Sequence, residues 1–201
     1  MKTEKLLKMY AKEIPNHFSK ENSDFIIKRL YELHQEYSAA HQNDIPKLKQ
    51  HNDVIFVGVA IYQAIQELNY TKEEALKLTD DIFQSVALTI AVLIRKILKV
   101  PGLYKHVPKI VSKLVPKKYS ESSGFEFKFY DVGKQRVKFD MTACPYHDIC
   151  KDMGCEELTV VYCHNDDCCY GNMHPKLKWN RTKTIGEGAK SCDFDIEIKE
   201  D

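Results

Sequence analysis

The first 143 residues contain no cysteine; all seven lie between positions 144 and 192. Thiol chemistry and thiolate metal ligation are thereby excluded from most of the chain. Acid is absent from positions 82–120, a stretch that carries Arg95, Lys96, Lys99, Lys105, Lys109, Lys113, Lys117 and Lys118. That bias marks either a solvated helix end and linker or a face for an anionic partner or lipid surface. The formal net charge is only +1, so no global attraction to nucleic acid or anionic membranes follows. Long apolar runs are missing too. The longest, 54–65 and 86–94, fall short of the roughly 20 residues that span a bilayer. The start, MKTEKLLKMYAKEIP, is charged throughout and lacks a secretory pattern. With an odd cysteine count and the adjacent pair Cys168-Cys169, this predicts a reducing, cytoplasmic setting with free or metal-bound thiols. No internal repeat or low-complexity tract stands out.

What is present suits one compact unit. The 201 residues are 43% hydrophobic, enough to bury a core. Residues 1–118 read as helical. Asn22-Ser23-Asp24 can cap a helix to about Tyr37, and the polar stretch 41–53 reads as a loop or weak helix start. Residues 54–68 fit a buried helix. Thr71-x-x-Glu74 is a capping box for a helix that Pro101-Gly102 ends. Pro108 and Pro116 bracket a shorter helix. From about 119 the period changes to two. Phe125, Phe127 and Phe129 alternate with polar residues, as do Val137, Phe139 and Met141 after the turn at Gly133. Leu177 and Trp179 predict a third strand, and Cys192, Phe194, Ile196 and Ile198 a fourth. Residues 156–167 lean to helix. The expectation is α+β: a helical N-terminal half packed on a cysteine-rich C-terminal antiparallel sheet, residues 119–201.

The candidate chemistry lies in that second region. On a helix, Cys163 and Asp166 or Asp167 project from one face. With His164 as base and a carboxylate to orient it, Cys163 becomes a nucleophile; otherwise it is a small buried residue. The parity of Cys192 turns it inward. Arg181 shares parity with Leu177 and Trp179, which puts a guanidinium on the apolar side. A buried charge needs a partner: Asp166 or Asp193 within the protein, or an anionic ligand. The spacing Cys144-x5-Cys150-x4-Cys155-x7-Cys163 lacks the C-x2-C pairs of common zinc and iron–sulfur sites. Cys144, His147, Cys150 and Cys155 remain an alternative set for zinc or iron.

Two stretches carry a resemblance. GCEELTVVYCHND (154–166) and WNRTKTIGEGAKSCDFD (179–195) resemble the L-2-amino-thiazoline-4-carboxylic acid hydrolase family. The matching positions are Gly154, Glu157-Leu158, Cys163, Asp166, Trp179, Arg181, Thr184, Gly186, Gly188, Cys192, Asp193 and Phe194. The resemblance implies hydrolytic opening of a cyclic amidine or isothiourea to a carbamoyl-cysteine, with no cofactor and a small-molecule carboxylate as substrate. It implies Cys163 as nucleophile, with Cys192 as the other candidate. Asp166 protonates or holds the amidine, or orients His164. Arg181 grips the substrate carboxylate, and Thr184 and Asp193 complete the polar lining. The rival from another class is a non-catalytic module that senses a small ligand or metal through its cysteines. No nucleic acid and no membrane span are expected, and self-association is left open.

Overall fold

The computed structural model describes residues 3–200, apart from the side chains at positions 46 and 47. Residues 1, 2 and 201, the outermost members of the helical and sheet regions and part of the charged N-terminal stretch, lie outside the described residues. The fold is α+β.

Four long helices come first: α1 (Thr3–Glu13), α2 (Lys20–Ala40), α3 (Pro46–Glu67) and α4 (Lys72–Leu98). Ser19 rather than Asn22 caps α2, its hydroxyl accepting from the Asn22 amide at 3.3 Å. The polar stretch before residue 54 is helical from Pro46, because a proline in the first turn leaves no intrahelical donor missing. Residues Ile55, Phe56, Val57, Val59, Ala60, Ile61 and Tyr62 are all buried, so α3 is enclosed on every side. The capping box opens α4 as expected. Glu74 donates its amide to Thr71 at 3.2 Å, and its carboxylate accepts the Thr71 amide at 2.9 Å. A fifth helix, α5 (Val107–Lys118), holds Pro108 in its first turn and continues past Pro116.

Four strands follow: β1 (Glu126–Val132), β2 (Arg136–Ala143), β3 (Leu177–Asn180) and β4 (Cys192–Ile198). All neighbours are antiparallel, in the order β1-β2-β4-β3. The register pairs Val137 with Ile196, Phe139 with Phe194 and Met141 with Cys192. These make one apolar face. The alternate pairs Arg136–Glu197, Lys138–Asp195 and Asp140–Asp193 make the other face polar. Between β2 and β3 the chain inserts α6 (Pro145–Asp152) and α7 (Thr159–Tyr170). The larger core joins α1–α4 with α6 and α7; the second fills the space between the sheet, α5 and the end of α4. Tyr146 packs against both. Among the described residues no helix is long and apolar enough to cross a membrane.

Candidate active site

Gly154, with φ at +72°, ends α6 and lets the chain turn back. A short 3-10 turn, Glu156–Leu158, then leads into α7. Helical spacing brings Thr159, Cys163, Asp166 and Tyr170 to one side of α7. Against that side lies a second 3-10 turn, Ile185–Glu187, just before β4. The site forms where this turn meets the helix.

Thr184 is buried and sets the turn. Its hydroxyl accepts the Glu187 amide at 3.1 Å and donates to the Glu187 carboxylate at 2.8 Å. The Ile185 amide donates to the Cys192 sulfur at 3.1 Å. Gly186 passes so close to α7 that a Cβ there would sit 3.0 Å from the Cys163 sulfur and 3.1 Å from the Thr159 carbonyl carbon. Only a residue without a side chain permits that approach.

The approach surrounds Cys163 with donors. Its sulfur lies against Cys192, which is the largest influence, and the Gly186 amide; the Thr184 side chain and the positive charge of Arg181 act in the same direction. Against the opposing effect of burial, these bring its pKa from 9.0 down to about 6. The proton stays on Cys192, whose pKa is pushed up by the hydrogen bond to Cys163 and by burial. Both cysteines are free thiols or thiolates rather than a disulfide. The two sulfurs thus behave as one proton-sharing unit, with the charge on Cys163.

Asp166 has the opposite character. Desolvation raises its pKa from 3.8 to about 7, although Arg181 opposes the shift. Its side chain is nonetheless 39% exposed. Tyr119, Tyr146 and Cys144 share its electrostatic environment, and burial drives the Cys144 thiol up to about 12.

Arg181 stands one residue beyond β3, and its side chain is only 2% exposed. It donates to the Cys163 carbonyl at 2.6 Å and to the Asp166 carboxylate at 3.4 Å, and it pairs closely with Asp167. Its guanidinium also lies near the rings of Phe194 at 5.6 Å and Trp179 at 5.8 Å. Asp193 is elsewhere. It accepts from the amides of Thr182 and Lys183, both at 2.9 Å, and from the Thr182 hydroxyl at 2.7 Å. It fixes the path of the chain into the site from the polar side of the sheet. His164 turns toward α4, with Nδ1 3.0 Å from Asp80, so Asp166 does not orient it.

Cys163, Asp166, Arg181, Thr184 and Cys192 therefore come together, while His164 and Asp193 face other partners. The alternative metal set is divided. Cys150 and Cys155 adjoin one another, the Cys155 amide donating to the Cys150 carbonyl at 2.8 Å. Cys144 shares the field of Cys163 and Asp166, and His147 lies 3.6 Å from Glu156. Among the described residues no three histidines, cysteines or carboxylates gather as a metal site. The roles of the Ile185 amide, Cys144 and Asp80 had no signal in local spacing. Gly186 had one, as half of a glycine pair beside a cysteine.

Comparison with known proteins adds one decisive match. No curated protein matches the sequence. A crystal structure of an H-NOX protein from S. oneidensis in the Fe(II)NO ligation state aligns over 75% of this chain and 76% of its own, at 14% identity. Its TM-score of 0.27 is too low to indicate a shared fold. The family model for L-2-amino-thiazoline-4-carboxylic acid hydrolase matches residues 49–196. That span runs from α3 into β4 and contains every residue of the site, and the chain belongs to this family.

Proposed function

We propose that the protein is a cysteine-dependent hydrolase that opens a small cyclic amidine such as 2-amino-thiazoline-4-carboxylate to a carbamoyl-cysteine. The observation that carries this is the convergence of Cys163 on α7 with the Gly186 turn and Cys192, beside the Arg181–Asp166 pair: a Cβ on Gly186 would fall 3.0 Å from the Cys163 sulfur, and Arg181 reaches both the Cys163 carbonyl and Asp166. A thiolate, favoured at Cys163, and a carboxyl inclined to hold its proton, Asp166, are the two groups that ring opening of an amidine needs at neutral pH.

In this reaction the Cys163 sulfur bonds to the ring amidine carbon. The tetrahedral adduct collapses with cleavage of the ring bond to sulfur or nitrogen, and Asp166 gives the departing atom its proton. Water then adds to the same carbon, Asp166 takes up a proton, and the bond to Cys163 breaks to return the thiolate. The amidine nitrogen is retained and the carbonyl oxygen comes from water, so one water is consumed. Acid–base assistance of this kind contributes about 10²–10⁴-fold. Cys192 keeps its proton and stabilises the thiolate between turnovers. Arg181 holds Asp166, Asp167 and the Cys163 carbonyl in place, through three of its N–H donors. Free thiols at such a centre suit the reducing cytoplasm.

The test is turnover of 2-amino-thiazoline-4-carboxylate by the purified chain, with carbamoyl-cysteine as product. Cys163→Ser should lower kcat about 10³-fold or more while the thermal midpoint stays nearly unchanged. Turnover by that variant at the rate of the parent would remove Cys163 from the reaction.

A further inference from the structure

The site leaves the acid-free stretch unexplained. The last three turns of α4 present a face that nothing among the described residues covers. Leu88, Val92, Leu93 and Ile97 recur on it at helical spacing, and Val92 and Leu93 are 59% and 57% exposed. Ala91 and Leu98, on the opposite side of the helix, are buried. Lys96 and Lys99 stand among the exposed apolar side chains.

The pattern repeats on α5. Ile110 and Leu114 are exposed, with Lys109, Lys113 and Lys117 following one another at four-residue intervals beside them. Leu98 of α4 and Val107 and Val115 of α5 all pack into the core over the apolar face of the sheet. The inward sides of the end of α4 and of α5 therefore meet in one core. Their apolar and cationic outer sides face away from it. A cleft of about 510 Å³ adjoins the start of α5, with Lys105, Lys109, Lys134 and Lys199 on its walls and Glu200 as the acid among its lining residues.

The geometry points to a peripheral membrane-docking surface for an anionic bilayer, formed by the end of α4 and by α5. Leucine, isoleucine and valine side chains enter the boundary between headgroups and acyl chains, while the lysines around them meet anionic headgroups. Charge selects this occupant over a second copy of the chain. A symmetric dimer would press the same cationic face against itself, whereas an anionic leaflet attracts it. Each lysine near such a leaflet strengthens partitioning roughly fivefold. The surface lies on the leaflet without crossing it; among the described residues no helix is long and apolar enough to cross.

Co-sedimentation of the full chain with vesicles tests this. Binding is expected to vesicles of phosphatidylcholine containing phosphatidylserine, not to phosphatidylcholine alone, and to weaken as salt is raised. Lys96→Glu with Lys99→Glu should reduce binding at least about 25-fold, two lysines at fivefold each. Val92→Ser with Leu93→Ser should also weaken it, with the thermal midpoint and hydrolysis in solution unchanged for both variants. Equal binding to both vesicle types, or no binding, overturns the proposal. So does retention of full binding by the serine variant, which would leave only a polyanion site. Concentration-dependent dimerisation abolished by the serine variant, without vesicle binding, would assign the face to a second copy instead.

Discussion

Cys192 donates its thiol proton to the sulfur of Cys163. The two arrive from different elements, one from the middle of α7 and one from the first position of β4. The contact favours the thiolate on Cys163 over that on Cys192, so the chemistry of each depends on the other.

Thiol reactivity should display this asymmetry. Alkylation by iodoacetamide is expected to include a fast phase whose pH midpoint is about 6, set by Cys163. The phase should vanish in Cys163→Ser. In Cys192→Ala its midpoint should move upward, because the largest influence lowering the pKa is gone. A fast phase that survives in Cys163→Ser would assign the low-pKa thiolate elsewhere.

Asp166 makes stability fall with pH. Its folded pKa of about 7 exceeds its ordinary value of 3.8, so between these values the folded protein binds more protons than the unfolded chain. The contribution of this carboxyl is fully present below about pH 4 and is lost as pH rises through about 7. Denaturant titrations of the parent and of Asp166→Asn should therefore diverge across that window, the parent weakening relative to the variant as pH rises. Parallel curves would mean that the carboxyl titrates normally. Cys163 acts in the other direction. Its folded pKa lies below the ordinary 9.0, so stability from this group grows as pH rises from about 6 to about 9.

Arg181→Lys should act on stability before it acts on substrate affinity. Lysine cannot reproduce the planar fork that reaches Cys163, Asp166 and Asp167 together. Both carboxylates are more than a third exposed, so the loss should be near the low end for charged hydrogen bonds, about 1.5 kcal/mol. Differential scanning calorimetry reads it directly. A steep rise in KM with an unmoved thermal midpoint would instead show the guanidinium gripping the substrate.

Gly186→Ala isolates the close approach of the turn to α7. The added methyl meets the Thr159 backbone at 3.1 Å, which cannot move aside as a flexible side chain does. The turn must retreat, taking its amide away from Cys163. A loss of about 1–3 kcal/mol is expected, together with an upward shift of the Cys163 alkylation midpoint. An unshifted midpoint would show that the Gly186 amide does not stabilise the thiolate.

Much of this was legible in local sequence, because local physics decides it. Thr71 and Glu74 satisfy each other's amides within one helical turn, so their spacing suffices. Alternation of Phe125–Phe129 and of Val137–Met141 fixed a hairpin, and the parity of Cys192 placed it on the apolar face of the sheet. Arg181 declared itself as a charge on the wrong side. Its partners were harder to name, because strand parity gives a face without a distance, and Asp167 shares the role with Asp166. His164 had its partner hidden for the same reason. Its neighbour in sequence is Cys163, but its partner Asp80 comes from a helix far back along the chain. Ser19 rather than Asn22 caps α2, because both residue types are competent and the helix already begins at Lys20, which brings the Asn22 amide within reach of the Ser19 hydroxyl. The depth of Asp166, which sets its pKa, depends on the sheet and α7 together and leaves no trace in spacing.

The strand order β1-β2-β4-β3 has a consequence for biosynthesis. Of the four strands, the one translated last fills an interior place, between β2 and β3. Until it docks, β3 has no neighbour and the proton donor of Cys163 is missing. A nascent polypeptide that has not yet made β4 therefore has its helices but lacks the cysteine that meets Cys163.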